Sequence, residues 1–134
     1  MTIEIVCEKR WKIYFYTEGG LCYAADYIDS QFNTKTQDYI YACLDQLAER
    51  GRTALSTDIF HSAADSHEIE NNGYIYKMYG LHKAKKRLYA ILQEDIKTII
   101  FTHGAIKTGQ KTAREDIDKF KEITRKLIGE GELP

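Results

Sequence analysis

The chain has 134 residues, 43% of them hydrophobic and 29% charged, with a formal net charge of −1. Those proportions suit one soluble domain over residues 1–134, long enough to bury a core. No apolar run reaches the roughly 20 residues a membrane span needs, so no membrane segment or membrane partner is expected.

The N-terminal MTIEIVCEKRWKIYFY carries Glu4 and Glu8 and has no apolar run ending in small residues, so no secretory signal is expected. Trp11–Tyr16 (WKIYFY) is aromatic and β-branched and predicts a strand, which Glu18-Gly19-Gly20 ends. Leu21–Phe32 spaces Leu21, Ala24, Ala25 and Ile28 as on a short helix. Thr34-x-x-Gln37 reads as a capping box opening a longer helix, with Ile40, Cys43, Leu44 and Leu47 on one stripe and Gly51 as its stop.

Residues 52–72 are mixed in character and read as a connection with at most a short strand or turn. Tyr74–Gly80 alternates, with Tyr74, Tyr76 and Met78 on one face and Ile75, Lys77 and Tyr79 on the other. Arg87–Leu92 and Lys97–His103 flank Gln93-Glu94-Asp95 as a hairpin, and His82 falls in a loop between strands. Thr112-x-x-Glu115 reads as a second capping box. Ile117, Phe120, Ile123, Thr124 and Leu127 then trace the stripe of a last helix that Gly129 ends. The order β-α-α-β-β-β-α, with helices covering one face of an antiparallel sheet, predicts an α+β domain.

Three widely spaced cysteines (Cys7, Cys22, Cys43) without a CxxC pair argue against a disulfide framework and for the cytoplasm. His61, His67, His82 and His103 lack metal-ligand spacing, so neither a metal nor another cofactor is expected. The small net charge hides an asymmetry. Residues 1–76 carry 6 Lys/Arg against 12 Asp/Glu, whereas residues 77–126 carry 13 against 6. The second half is therefore the half suited to a polyanion, although part of its charge also fits the solvent face of the last helix. Lys107 and Lys111 beside His103, at the predicted end of a strand, suit contact with phosphate and proton transfer. A solvated basic loop would have the same composition.

Four segments carry a family likeness: Leu44-Asp45-Gln46-Leu47-Ala48-Glu49-Arg50-Gly51, Ile75-Tyr76-Lys77-Met78-Tyr79, Lys86-Arg87-Leu88-Tyr89, and the block His103–Ile117. Together with the element order they resemble the RelE/HigB toxin superfamily, most closely its phage-derived HigB-like branch. That branch combines an N-terminal strand, a helical pair ending LxxLxxxG, an I-W/Y-E-L-R strand, an R-hydrophobic-hydrophobic-Y strand and hGFxKKxxKTPxxEIxxA. The likeness spans roughly residues 11–126, with the C-terminal block its specific part. Lys77 stands where the family has Glu, Tyr79 where it has Arg, Thr108 replaces a Lys and Ala113 a Pro.

The resemblance implies a RelE-like fold: an antiparallel sheet with two N-terminal helices packed on it and a C-terminal helix. It also implies the toxin of a type II toxin–antitoxin system, a metal-independent, ribosome-dependent mRNA endoribonuclease. Attack of a ribose 2′-OH on the adjacent phosphate would leave a 2′,3′-cyclic phosphate. Implied partners are the ribosome, mRNA and a cognate antitoxin, often a helix-turn-helix protein; the oligomeric state stays open. This chemistry needs a base, an acid and positive charge on the phosphorane.

Arg87 or Lys86 is then the phosphate clamp, Lys107 and Lys111 are supporting cations, and His103 and Tyr89 are acid/base candidates. Lys77 and Lys85 join as further phosphate contacts, with Lys83 in the same cluster. Adjacent strand residues face opposite sides, so only one of Lys86 and Arg87 can enter a shared groove. The alternatives are a non-catalytic phage-derived binding or regulatory protein of the same fold, and a ParE-like inhibitor of DNA gyrase.

Overall fold

The computed structural model describes residues 2–63, 67–109 and 111–134. They form an α+β fold around a mixed seven-stranded sheet. Strands β1 (Ile3–Glu8) and β2 (Lys12–Tyr16) make an N-terminal hairpin. Helices α1 (Tyr23–Gln31) and α2 (Thr34–Arg50) follow, then β3 (Phe60–Ser62), β4 (Glu68–Asn71), β5 (Tyr74–Lys83), β6 (Lys86–Gln93), β7 (Thr98–Ile106) and α3 (Arg114–Gly129). The sheet runs β1-β2-β7-β6-β5-β3, with β4 also on β5.

Two expectations need correction. The sheet is not wholly antiparallel, because β2 and β7 pair in parallel, from Lys12–Thr98 to Phe15–Phe101. The chain leaves β2 through two helices and returns by the β5-β6-β7 meander, which brings β7 alongside β2 in the same direction. Nor do the helices cover a single face. Ile28, Ile40, Leu44 and Leu47 of α1 and α2 pack with Ile13, Phe15, Leu88 and Phe101 on one face. Phe120, Ile123 and Leu127 of α3 pack with Tyr16, Tyr76, Met78, Ile91 and Ile100 on the other. Strand alternation supplies both apolar faces, and each must be buried. The C-terminal tail closes the second layer: Leu133 is buried there and the Tyr76 hydroxyl donates to the Pro134 oxygen.

Both capping boxes fail in detail. Helix α2 is capped one residue earlier, where the Asn33 side chain accepts from the Thr36 N–H at 2.9 Å. The Gln37 amide donates instead to the Phe32 carbonyl at 2.8 Å. Asn33→Ala is therefore expected to cost about 1 kcal/mol in urea unfolding, and Thr34→Ala much less. Helix α3 begins after Ala113 with no side-chain cap, so Thr112 does not fill that role. Gly51 does end α2, its N–H donating to the Leu47 carbonyl at 2.7 Å.

Candidate functional site

Alternation along the neighbouring strands β3, β5, β6 and β7 builds one patch on the α3 face. Cross-strand register sets His61 opposite Gly80, Gly80 opposite Tyr89, and Tyr89 opposite His103. A second row sets His82 opposite Arg87 and Arg87 opposite Ala105. Residues paired directly across strands share a face, so these side chains rise on the same side of the sheet. Helix α3 covers the part of this face around Met78 and Ile91. Beyond its first turn the face opens into a cavity of about 340 Å³.

Arg87, Tyr89, Lys107 and Lys111 all line this cavity, as do His61, His67 and His82. Four sequence candidates therefore converge. Arg87 is held by its own turn, with Nη1 donating to the Ala84 carbonyl at 2.7 Å and to the Lys86 carbonyl at 3.0 Å. That turn uses Ala84 at φ 55°, a left-handed conformation that costs energy outside glycine. Lys107 is fixed at its backbone, where its N–H donates to the Lys85 carbonyl at 2.7 Å. The strand expected to stop at His103 runs on to Ile106, which carries Lys107 to the cavity rim.

The other candidates lie elsewhere. His103 is buried, and its ring lies behind Tyr89 with centroids 5.3 Å apart. Its Nε2 bonds Asp116 Oδ1 at 3.0 Å and its Nδ1 lies 2.9 Å from Thr102 Oγ1, so both ring nitrogens are occupied. A β-bulge explains its direction. Tyr89 pairs with His103 but Ala90 with Phe101, leaving Thr102 as the extra residue on β7. Strict alternation would put His103 on the Phe101 face; the extra residue turns it toward α3.

Lys86 points to the opposite face, where Nζ donates to the Gln31 carbonyl at 2.5 Å and sits over the Phe32 ring. It is the member of the adjacent pair excluded from the groove. Lys85 lies in the β5–β6 turn, outside the cavity lining. Lys77 borders a separate depression with Glu68 and Tyr79. Tyr79 itself packs on Phe60, with ring centroids 5.0 Å apart.

The histidines are what sequence reasoning missed. His82 is on β5, not in a loop, and the alternation Tyr76, Met78, Gly80, His82 could have found it. His61 sits on β3, whose three residues carry too little periodicity to announce a strand. The two rings lie 4.0 Å apart between centroids. Gly80 is the floor between them and Tyr89. A Cβ there would stand 3.3 Å from His82 Nε2 and 3.5 Å from Tyr89 Cδ1.

Electrostatics sort these groups. Burial lowers the His82 pKa to about 3, with the neighbouring His61, Arg87 and Lys107 adding to the effect, so His82 is neutral at pH 7. Burial, reinforced by Asp116, pushes the Tyr89 phenol up, opposed by a hydrogen bond with Thr112. No three His, Cys, Asp or Glu side chains group as metal ligands among the described residues.

The His82 shift has a consequence for stability. Its folded pKa lies below the unfolded value of 6.5, so between pH 6.5 and about 3 the unfolded chain binds a proton that the native state refuses. Stability therefore falls with acidification across that window, by at most about 1.4 kcal/mol per pH unit and less where solvent screens the ring. Melting temperatures between pH 7 and pH 4 should drop less steeply for His82→Asn than for the native sequence.

Comparisons with protein-family models, with curated proteins and with solved structures give no match.

Proposed function

We propose that this chain is a metal-independent endoribonuclease with a RelE-like fold, the toxin of a type II toxin–antitoxin pair acting on ribosome-bound mRNA. One observation carries the chemical half of this reading: Arg87, Lys107 and Lys111 line a single cavity together with His61 and His82. Three cations around one opening suit a phosphodiester, and they stabilise most strongly the extra charge that develops on a phosphorane. Imidazole is the side chain suited to taking and giving protons near neutral pH.

The balanced step forms a 2′-O–P bond and breaks the P–O5′ bond. The 2′-OH proton goes to a base in the cavity, and an ammonium proton of Lys107 or Lys111 goes to the leaving 5′-oxygen. The products are a 2′,3′-cyclic phosphate and a 5′-OH. The biological half rests on the resemblance carried by His103–Ile117 and by the order of β2, α1, α2, β5, β6, β7 and α3. The departures from the family pattern at Lys77 and Tyr79 fall outside the cavity lining, so they do not remove a cation from it.

Induced expression in bacteria tests the reading. It predicts growth arrest with truncated transcripts in translated messages, and healthy growth with whole transcripts would refute it. In the native setting a cognate antitoxin and the ribosome are the expected partners.

A further inference from the structure

We propose that His61, rather than His103 or Tyr89, is the general base of this site. The assignment rests on the phosphodiester-cleaving reading above and goes beyond it by fixing which atom takes the proton. The His61 Nδ1 lies 2.7 Å from the Ser62 carbonyl oxygen. A carbonyl only accepts, so Nδ1 carries a proton, and in the neutral ring Nε2 is the nitrogen that keeps a lone pair. The half-buried ring lines the same cavity as Arg87, Lys107 and Lys111, and it also borders a second pocket beside Thr57 and Phe60.

The neighbouring groups are poorer bases on this geometry. His103 has both nitrogens engaged, by Thr102 and Asp116, and sits behind the Tyr89 ring. Lys107 and Lys111 are cations without a lone pair until they lose a proton. His82 lies 4.0 Å from His61 and faces Arg87 across the strands, so a proton taken up there would meet the Arg87 charge. No hydrogen bond among the described residues fixes the tautomer of His67. In the step itself the 2′-OH proton passes to His61 Nε2 as the oxygen bonds phosphorus. The imidazolium that forms keeps its Nδ1–H on the Ser62 carbonyl. Solvent then removes the Nε2 proton.

The test combines two measurements on the full chain. In the first, cleavage of a defined mRNA on translating ribosomes is compared for the native protein and His61→Ala. Loss of a positioned base should slow cleavage about 10²- to 10⁴-fold, and added imidazole should restore part of the rate. In the second, ¹⁵N-labelled histidine is read by NMR in the absence of RNA, where the neutral His61 ring should show the Nδ1–H tautomer. Unchanged cleavage by His61→Ala overturns the proposal. So does slow cleavage that imidazole does not rescue while the melting temperature is native, and so does an Nε2–H tautomer. If the native protein cleaves no RNA, the ribonuclease reading falls and the base assignment with it. If the native protein and His61→Ala cleave alike, only the base assignment falls.

Discussion

Gly104→Ala is expected to destabilise the protein by about 3 kcal/mol or more, the upper range for overpacking a filled core. Gly104 lies on β7 opposite Leu88, on the face covered by α1 and α2. A Cβ added there would stand 2.2 Å from Cγ of Tyr27 and 2.5 Å from Cδ1 of the same ring. The far end of a flexible side chain could give way, but these atoms lie at the root of the ring. Tyr27 is also held, packing edge-on to Phe32 with centroids 6.1 Å apart. Either α1 lifts from the strand or β7 bends, and β7 also carries the Thr102 bulge. Chemical denaturation of Gly104→Ala, Tyr27→Ala and the double variant separates these effects. The double variant should lose less than the sum of the single losses, because the clash is absent without the ring. Additive losses would show that Gly104 is needed for a reason other than space.

Arg87→Ala is expected to lower RNA cleavage about 10²- to 10³-fold while leaving the fold intact. The residue is partly exposed on the cavity wall, and its bonds to Ala84 and Lys86 belong to a surface turn, so truncation opens no core void. Those bonds use Nη1 and preset the guanidinium before substrate arrives, which is the condition for stabilising charge without reorganisation. Arg87→Lys should rescue poorly. Lysine is a point charge on a flexible stem and cannot reproduce the planar, turn-anchored fork. Lys86→Ala is the control. Its ammonium sits on the opposite face at Gln31 and Phe32, so cleavage should stay near the native rate. Equal losses for Arg87→Ala and Lys86→Ala would mean that net charge, not the cavity, governs activity.

The sequence announced the elements with long, regular patterns. Strand β2, helices α1 and α2, the meander β5-β6-β7 and helix α3 all appear within a few residues of expectation. Each buries a stripe or a row whose spacing is set by 3.6 or 2 residues per turn of pattern. Strands β3 and β4 were not legible, because three or four residues with His61, Glu68 and Glu70 do not alternate long enough to be read. Strand β1 mixes Glu4 and Glu8 among its apolar residues and breaks register between Ile5 and Cys7, as edge strands often do.

The site was legible in part for the same reason. Alternation correctly separated Arg87 from Lys86, and the register of the hairpin brought Tyr89 to the same face as Arg87. His103 was expected beside the cations, but its burial behind Tyr89, bonded to Thr102 and Asp116, depends on packing against α3 and leaves no sign in composition. Alternation passed over His61 and His82, because their meeting depends on β3 pairing with β5 across an intervening segment. Long-range pairing of a short strand is the information that local pattern does not hold.

The most direct measurement is the chemistry of the ends left on an mRNA translated with the purified protein present. Cleavage within the translated region is expected, with a 2′,3′-cyclic phosphate on one fragment and a 5′-OH on the other, both lost in Arg87→Ala. Intact transcripts with the native protein, or fragments bearing 5′-phosphates, would contradict it.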